Sequence, residues 1–145
     1  MDHSQKEHYL STLGTADLIV KINEQSNTLQ NLLESDAQYR YDNSRYLAGY
    51  TDDCIEVKSI IATLLLEPPL GPGGKKATIA EIENWVRTQR DTYPQLKEAI
   101  TNQNKVTFQI ETNRINIDMA RKRFESLRGL MALRTAQIEF LSKDG

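Results

Sequence analysis

Along most of this chain apolar residues recur at alternating steps of three and four, the spacing that gathers them on one side of an α-helix. From Leu96 onward the positions are Leu96, Ala99, Gln103, Val106, Ile110, Asn113, Ile117, Ala120, Phe124, Leu127, Met131, Arg134, Ile138 and Leu141, and eleven of these fourteen are apolar. A heptad stripe sustained this far predicts a helix over 94–142 that needs a partner helix along its length. At 1.5 Å per residue such a helix is roughly 73 Å long, which predicts a rod. The first half offers the partner, because Leu47, Tyr50, Cys54, Val57, Ile61 and Leu64 repeat the spacing. Upstream the phase continues as Leu29, Leu33, Asp36, Arg40 and Asn43, three polar positions in succession. Leu32, Tyr39 and Tyr46 lie on a neighbouring stripe that can carry the packing instead. A first long helix is therefore expected over 26–67, changing its buried face near 36–46 or meeting another subunit there. Residues 1–25, polar and interrupted by Gly14, read as a mobile or separate N-terminal segment.

Two breaks interrupt the pattern. In "LLLEPPLGPGGKKATIAEIENWV", residues 64–86, Pro68 and Pro69 end the first helix. Proline lacks a backbone donor and pushes the preceding residue out of the helical region. "GPGG" completes a turn over 68–77. Thr78 and Glu81 form a capping-box signature ahead of Ile79, Ile82, Trp85 and Val86, predicting a short helix over 78–90 with Trp85 as its core anchor. "DTYPQL" is the second break, with Asp91 or Thr92 as a cap and Pro94 in the first turn of the last helix. Strand signals are scarce, and no Asn-Gly or Asp-Gly hairpin turn separates alternating runs. The expected class is all-α: one domain, a long antiparallel helical hairpin resembling a coiled coil, with a Pro/Gly turn and a short intervening helix. Its heptad faces are expected to draw copies into a homo-oligomer.

Charge changes this picture by location. The whole chain carries a net charge of −2, yet residues 1–67 hold five Lys/Arg against eleven Asp/Glu while residues 68–145 hold thirteen against nine. Such asymmetry suits a local anion-binding face or head-to-tail association. The single cysteine, Cys54, excludes an internal disulfide and a cysteine-based zinc site, and fits a reducing cytoplasm. The opening "MDHSQKEHYL" lacks a basic-then-apolar signal pattern, and "IIATLLLEPPL" is too short to span a bilayer. The expected setting is the cytoplasm, without a membrane partner.

The candidate chemistry is that of anion binding. A nucleotide-binding P-loop needs G-x-x-x-x-G-K-[ST] after a strand. With Gly74 and Lys75 as its "GK", Pro69 replaces the first glycine and Lys76 the Ser/Thr, so the stretch reads as a turn. Lys75 and Lys76 still lie near a helix N-terminus, where phosphate contacts form readily. "ARKRFESLRGLMALR" sets Arg121, Lys122, Arg123, Arg128 and Arg134 against one Glu125, and Arg114, Arg121 and Arg128 share one heptad position. Aligned cations on one flank offer either a solvated coiled-coil face or a track for a nucleic-acid backbone. In "YRYDNSRYLAGY", Tyr39, Tyr41, Tyr46 and Tyr50 are interleaved with Arg40 and Arg45, a pattern for packing between helices, which is favoured, or for stacking on unpaired bases, with Tyr39, Tyr41 and Tyr46 as the stacking candidates. Gln103, Asn113 and Arg134 within the stripe read as devices that fix register or oligomeric state. His3 and His8 are five apart, the wrong spacing for a helical metal pair, and no nucleophile–histidine set or paired carboxylates emerge. No enzymatic activity, metal or cofactor is expected.

The segment "GGKKATIAEIENWV", followed by a break and a long helix ending "RFESLRGLMALRTAQIEFL", resembles the UvsY-like family of phage-encoded helical recombination mediators. The matching positions are Lys75, Lys76, Thr78, Glu81, Trp85, Leu127, Leu130, Leu133 and Arg134, within a layout covering residues 45–141. The resemblance implies a small oligomeric accessory factor that binds single-stranded DNA and helps a recombinase displace single-strand-binding protein. Two other functions fit the residues. One is a coiled-coil adaptor that binds protein only. The other is a phage anti-defence protein that sequesters a small nucleotide signal at subunit interfaces.

Overall fold

The computed structural model describes residues 14–143, and these are all-helical apart from turns and one isolated β-bridge. Helix α1 spans Thr15–Asp42, α2 Ile55–Leu64, α3 Ile79–Thr92 and α4 Pro94–Lys143, with single 3-10 turns at Ser44–Tyr46 and Pro72–Gly74. The chain divides into two compact units. One holds the described residues of Met1–Asp36 together with those of Asn113–Gly145, and the other is Ala37–Thr112.

All fourteen stripe positions of α4 are buried or half-buried, with Leu96, Ala99, Val106, Ile117 and Ala120 the most enclosed. The expected first helix over 26–67 is not one helix. The segment 43–54 interrupts it, so Tyr50, counted as a stripe position, is fully exposed. "DNSRYLAGYTDD" concentrates residues whose side chains compete with the helix for backbone partners. Asn43 marks the end of α1, where its side-chain Nδ2 at 2.9 Å and its backbone N–H at 3.0 Å both donate to the Tyr39 carbonyl. Nor is 15–25 a separate segment, since α1 begins at Thr15 and Leu18 is buried; residues 1–13 lie outside the described residues. The stripe of α1 reads Leu18, Ile22, Gln25, Leu29, Leu32, Asp36 and Tyr39 and continues to Asn43 just beyond its end, every one buried or half-buried. Leu32 and Tyr39 take the places assigned to Leu33 and Arg40, which are exposed. Choosing the steps in the opposite order exchanges one leucine for another, Leu33 for Leu32, and replaces Arg40 with Tyr39 on the packed side.

In the first unit, Asn113 Nδ2 donates to Asp36 Oδ1 at 2.9 Å, while the Arg134 guanidinium lies beside Gly14. Residue numbers thus rise along α1 as they fall along α4, and the paired segments run in opposite directions. In the second unit the core is Cys54, Val57, Leu96 and Ala99, flanked by Tyr46, Ile60, Ile61, Leu64, Tyr93 and Ile100. Burying side chains such as Val57 and Leu96 stabilises the unit by about 1.5–3 kcal/mol each.

The linker after α2 is a tight device. Leu65 caps α2, and Pro68 and Pro69 prevent its continuation. Leu70 and Lys76 then form an antiparallel bridge, the Gly71 N–H donates to the Lys75 carbonyl at 2.6 Å, and Gly73 and Gly74 take φ of +70° and +76°. Glycine alone adopts such angles without steric cost. Thr78 then caps α3, its hydroxyl oxygen accepting from the Glu81 N–H at 3.2 Å. Asp91 and Thr92, expected to cap the last helix, belong instead to the last turn of α3. The break falls on one residue, Tyr93, whose extended backbone (ψ 113°) is the conformation a following proline imposes.

Sequence patterning alone does not reveal the polar cluster that ties the 47–54 segment down. Arg90 grips both carboxylate oxygens of Asp53, Nη1 to Oδ1 at 3.2 Å and Nη2 to Oδ2 still closer. Gln103 Oε1 accepts the Cys54 N–H at 2.8 Å, at the start of α2. The Arg90 hydrogen bonds lower the Asp53 pKa against an opposing effect of burial, with help from the Arg90 charge, from a Gln103 hydrogen bond and from Lys58. Of the polar stripe residues, Gln103 and Asn113 therefore have hydrogen-bond partners within the chain, which makes them register devices of the fold itself.

Two outcomes follow for stability. Gln103→Leu conserves volume but orphans the Cys54 N–H, and should cost about 1–2 kcal/mol in a urea melt without changing the m-value. Because Asp53 is depressed in the fold, its contribution is complete above the unfolded carboxyl pKa of about 3.9 and is lost as pH falls below it. The gap between wild type and Asp53→Asn should be about 1 kcal/mol at neutral pH, a value reduced by partial exposure, and should narrow in melts below about pH 4.

Candidate nucleic-acid interface

The C-terminal part of α4, residues 113–143, carries seven Lys/Arg against three Asp/Glu, while the α1 segment 15–36 carries one against four. Acidic and basic helices are therefore paired within one unit. The heptad register set by the buried stripe decides where each cation of α4 lies. Arg114, Arg121 and Arg128 all follow directly after a buried or half-buried position, at Asn113, Ala120 and Leu127, and so share one flank.

That flank is partly compensated. Asp118 lies 3.6 Å from Arg114 Nη1 through one carboxylate oxygen and 3.6 Å from Arg121 Nη1 through the other. The three side chains are about half exposed, so these ion pairs hold the guanidiniums loosely and leave the trio with a net positive charge. Arg128 lies over the Phe124 ring, 5.7 Å from its centroid, an orientation that retains its charge.

Lys122 and Arg123 fall elsewhere. They line an open groove of about 550 Å³ with Lys21 and Glu24 of α1, over a floor that includes Gln25 and Leu127; Ser126 completes the rim. The heptad register places Arg123 on the flank opposite Arg121. The basic run that reads as one patch in the sequence is thus divided between two places, and Lys21, absent from that run, joins the second. Arg134 is half-buried in the stripe beside Gly14, and is a packing residue more than a surface cation.

Lys75 and Lys76 are exposed in the turn, where Lys75 accepts the Gly71 N–H through its carbonyl oxygen. The Glu81 carboxylate already occupies the start of α3, accepting from the Thr78 hydroxyl at 3.1 Å. A fixed carboxylate there opposes binding of a second anion. Of the tyrosines, Tyr39 belongs to the α1 stripe, and Tyr46 packs on the second unit's core, with Arg45 over its ring and its hydroxyl accepting from Asn102 Nδ2 at 3.4 Å. Tyr41 is 78% exposed. The structure therefore leaves one of the three presenting a free ring face.

His3 and His8 lie outside the described residues. Among the described residues no three His, Cys, Asp or Glu side chains gather to hold a metal ion, and no helix is long and apolar enough to cross a membrane. No protein-family model, curated protein or solved structure matches this chain.

Proposed function

We propose that this protein is a non-enzymatic accessory factor that binds single-stranded DNA through the basic outer surface of α4 between Arg114 and Arg128. The observation that supports it is the alignment of Arg114, Arg121 and Arg128 on one exposed flank, where Arg114 and Arg121 share the Asp118 carboxylate. Cations repeated every second helical turn match a flexible anionic backbone, whose binding is driven mainly by counterion release. The likeness of the turn and last helix to phage recombination mediators gives this binding a context, the loading of a recombinase in the host cytoplasm. On this reading the chain folds back as a helical hairpin and assembles with copies of itself. Met119, Leu130, Leu133 and Phe140 support the assembly, being apolar, partly to largely exposed, and confined to adjacent heptad positions on the flank away from Arg121.

Single-strand affinity should fall steeply with salt. Arg121→Glu combined with Arg128→Glu should weaken it at least about tenfold, and should reduce the log–log salt slope by roughly 0.7 for each phosphate no longer neutralised. Asp118→Asn, which releases Arg121 and removes one negative charge from the flank, should strengthen binding. Unchanged affinity in the double variant, or no binding of the wild type at physiological salt, would overturn the reading in favour of a protein-only adaptor. For the assembly, Leu133→Glu should lower the sedimentation mass relative to wild type; a wild-type monomer at micromolar concentration rejects that part.

A further inference from the structure

The groove between α1 and α4 has a composition of its own. Its cations are Lys21, Lys122 and Arg123, and among the described residues none of them pairs with a carboxylate. Arg114 and Arg121, by contrast, share Asp118. Glu24 on the same rim adds an acceptor without neutralising the three, leaving a local excess of two positive charges. On the floor, Leu127 presents an apolar surface, and the Gln25 Oε1 atom is closed off from solvent without a donor. A buried acceptor left unmatched is unfavourable, so the floor is incompletely satisfied as it stands. Its volume of about 550 Å³ is that of a small-molecule site.

We infer that this groove is a binding site for a nucleoside phosphate. Lys21, Lys122 and Arg123 take the phosphate, for which unpaired cations converging from two helices are the natural receptor. Glu24 accepts from a sugar hydroxyl or an exocyclic amino group, and Leu127 lies under the base. Inorganic phosphate alone uses only the cations and must contend with Glu24; a nucleoside alone forgoes them. The site goes beyond the strand-binding reading, since it lies on the flank of α4 away from Arg121 and requires no polymer. One chemistry has two sources here, a free nucleotide or the phosphorylated end of a strand.

Isothermal titration of the full-length protein with adenosine monophosphate at low salt tests the site. Saturable binding is expected, at least tenfold tighter than that of adenosine or inorganic phosphate. Lys21→Gln with Arg123→Gln should weaken it at least tenfold while far-ultraviolet circular dichroism stays unchanged. Glu24→Gln should weaken adenosine monophosphate without weakening inorganic phosphate. The Arg121→Glu, Arg128→Glu protein should bind the nucleotide like wild type, which separates this site from the strand-binding surface. Displacement by a 5′-phosphorylated dinucleotide more tightly than by adenosine monophosphate assigns the site to a strand end, and the reverse order assigns it to a free nucleotide. Absence of saturable binding to the folded wild type, or equal affinity in the Lys21, Arg123 double variant, overturns the inference.

Discussion

An amphipathic stripe that runs the length of a helix has to be covered by something, and in this protein that requirement falls on α4. Its stripe extends from Leu96 to Leu141 and is interrupted by three polar residues. Apolar packing alone tolerates slippage along such a stripe, because one leucine substitutes for another a heptad away. Gln103 and Asn113 remove that freedom: the first must reach the Cys54 N–H, and the second must reach Asp36. Displacement by a single turn leaves a part-buried amide without its partner. Register in each unit is therefore fixed by hydrogen bonding, while most of the stabilisation comes from burial.

The same register distributes the charges. Once Asn113, Ala120 and Leu127 face inward, Arg114, Arg121 and Arg128 are carried to one flank and Arg123 to the other. The charge pattern of this surface thus depends on the seam. Arg134 shows the converse: it stands in a strongly basic run, yet its heptad position places it among packed residues beside Gly14.

Periodicity made the α4 stripe legible residue by residue, and cap chemistry located the start of α3 at Thr78. Both are local, since a helical face depends on spacing and a cap on residues within one turn. The interruption at 43–54 was not legible as a break, because the polar stripe positions at 36, 40 and 43 read as a change of buried face within one helix. Asp36 and Asn43 proved to be half-buried with partners, while Arg40 was exposed because Tyr39 took its place. The Asp53–Arg90 pair joins residues 37 apart, and Gln103 meets Cys54 across 49. No short-range signal marks such pairs.

The sequence by itself determined that the chain is helical, where its proline and glycine breaks fall, and which side of α4 is buried, because each of these follows from local backbone preference or from period. The tertiary structure decided which cations act together. Lys21 and Arg123 are neighbours around one groove although about a hundred residues of chain separate them, and Arg121 and Arg123, two residues apart, face different surroundings. Charge runs along a sequence in one dimension, whereas a ligand meets the surface that packing exposes.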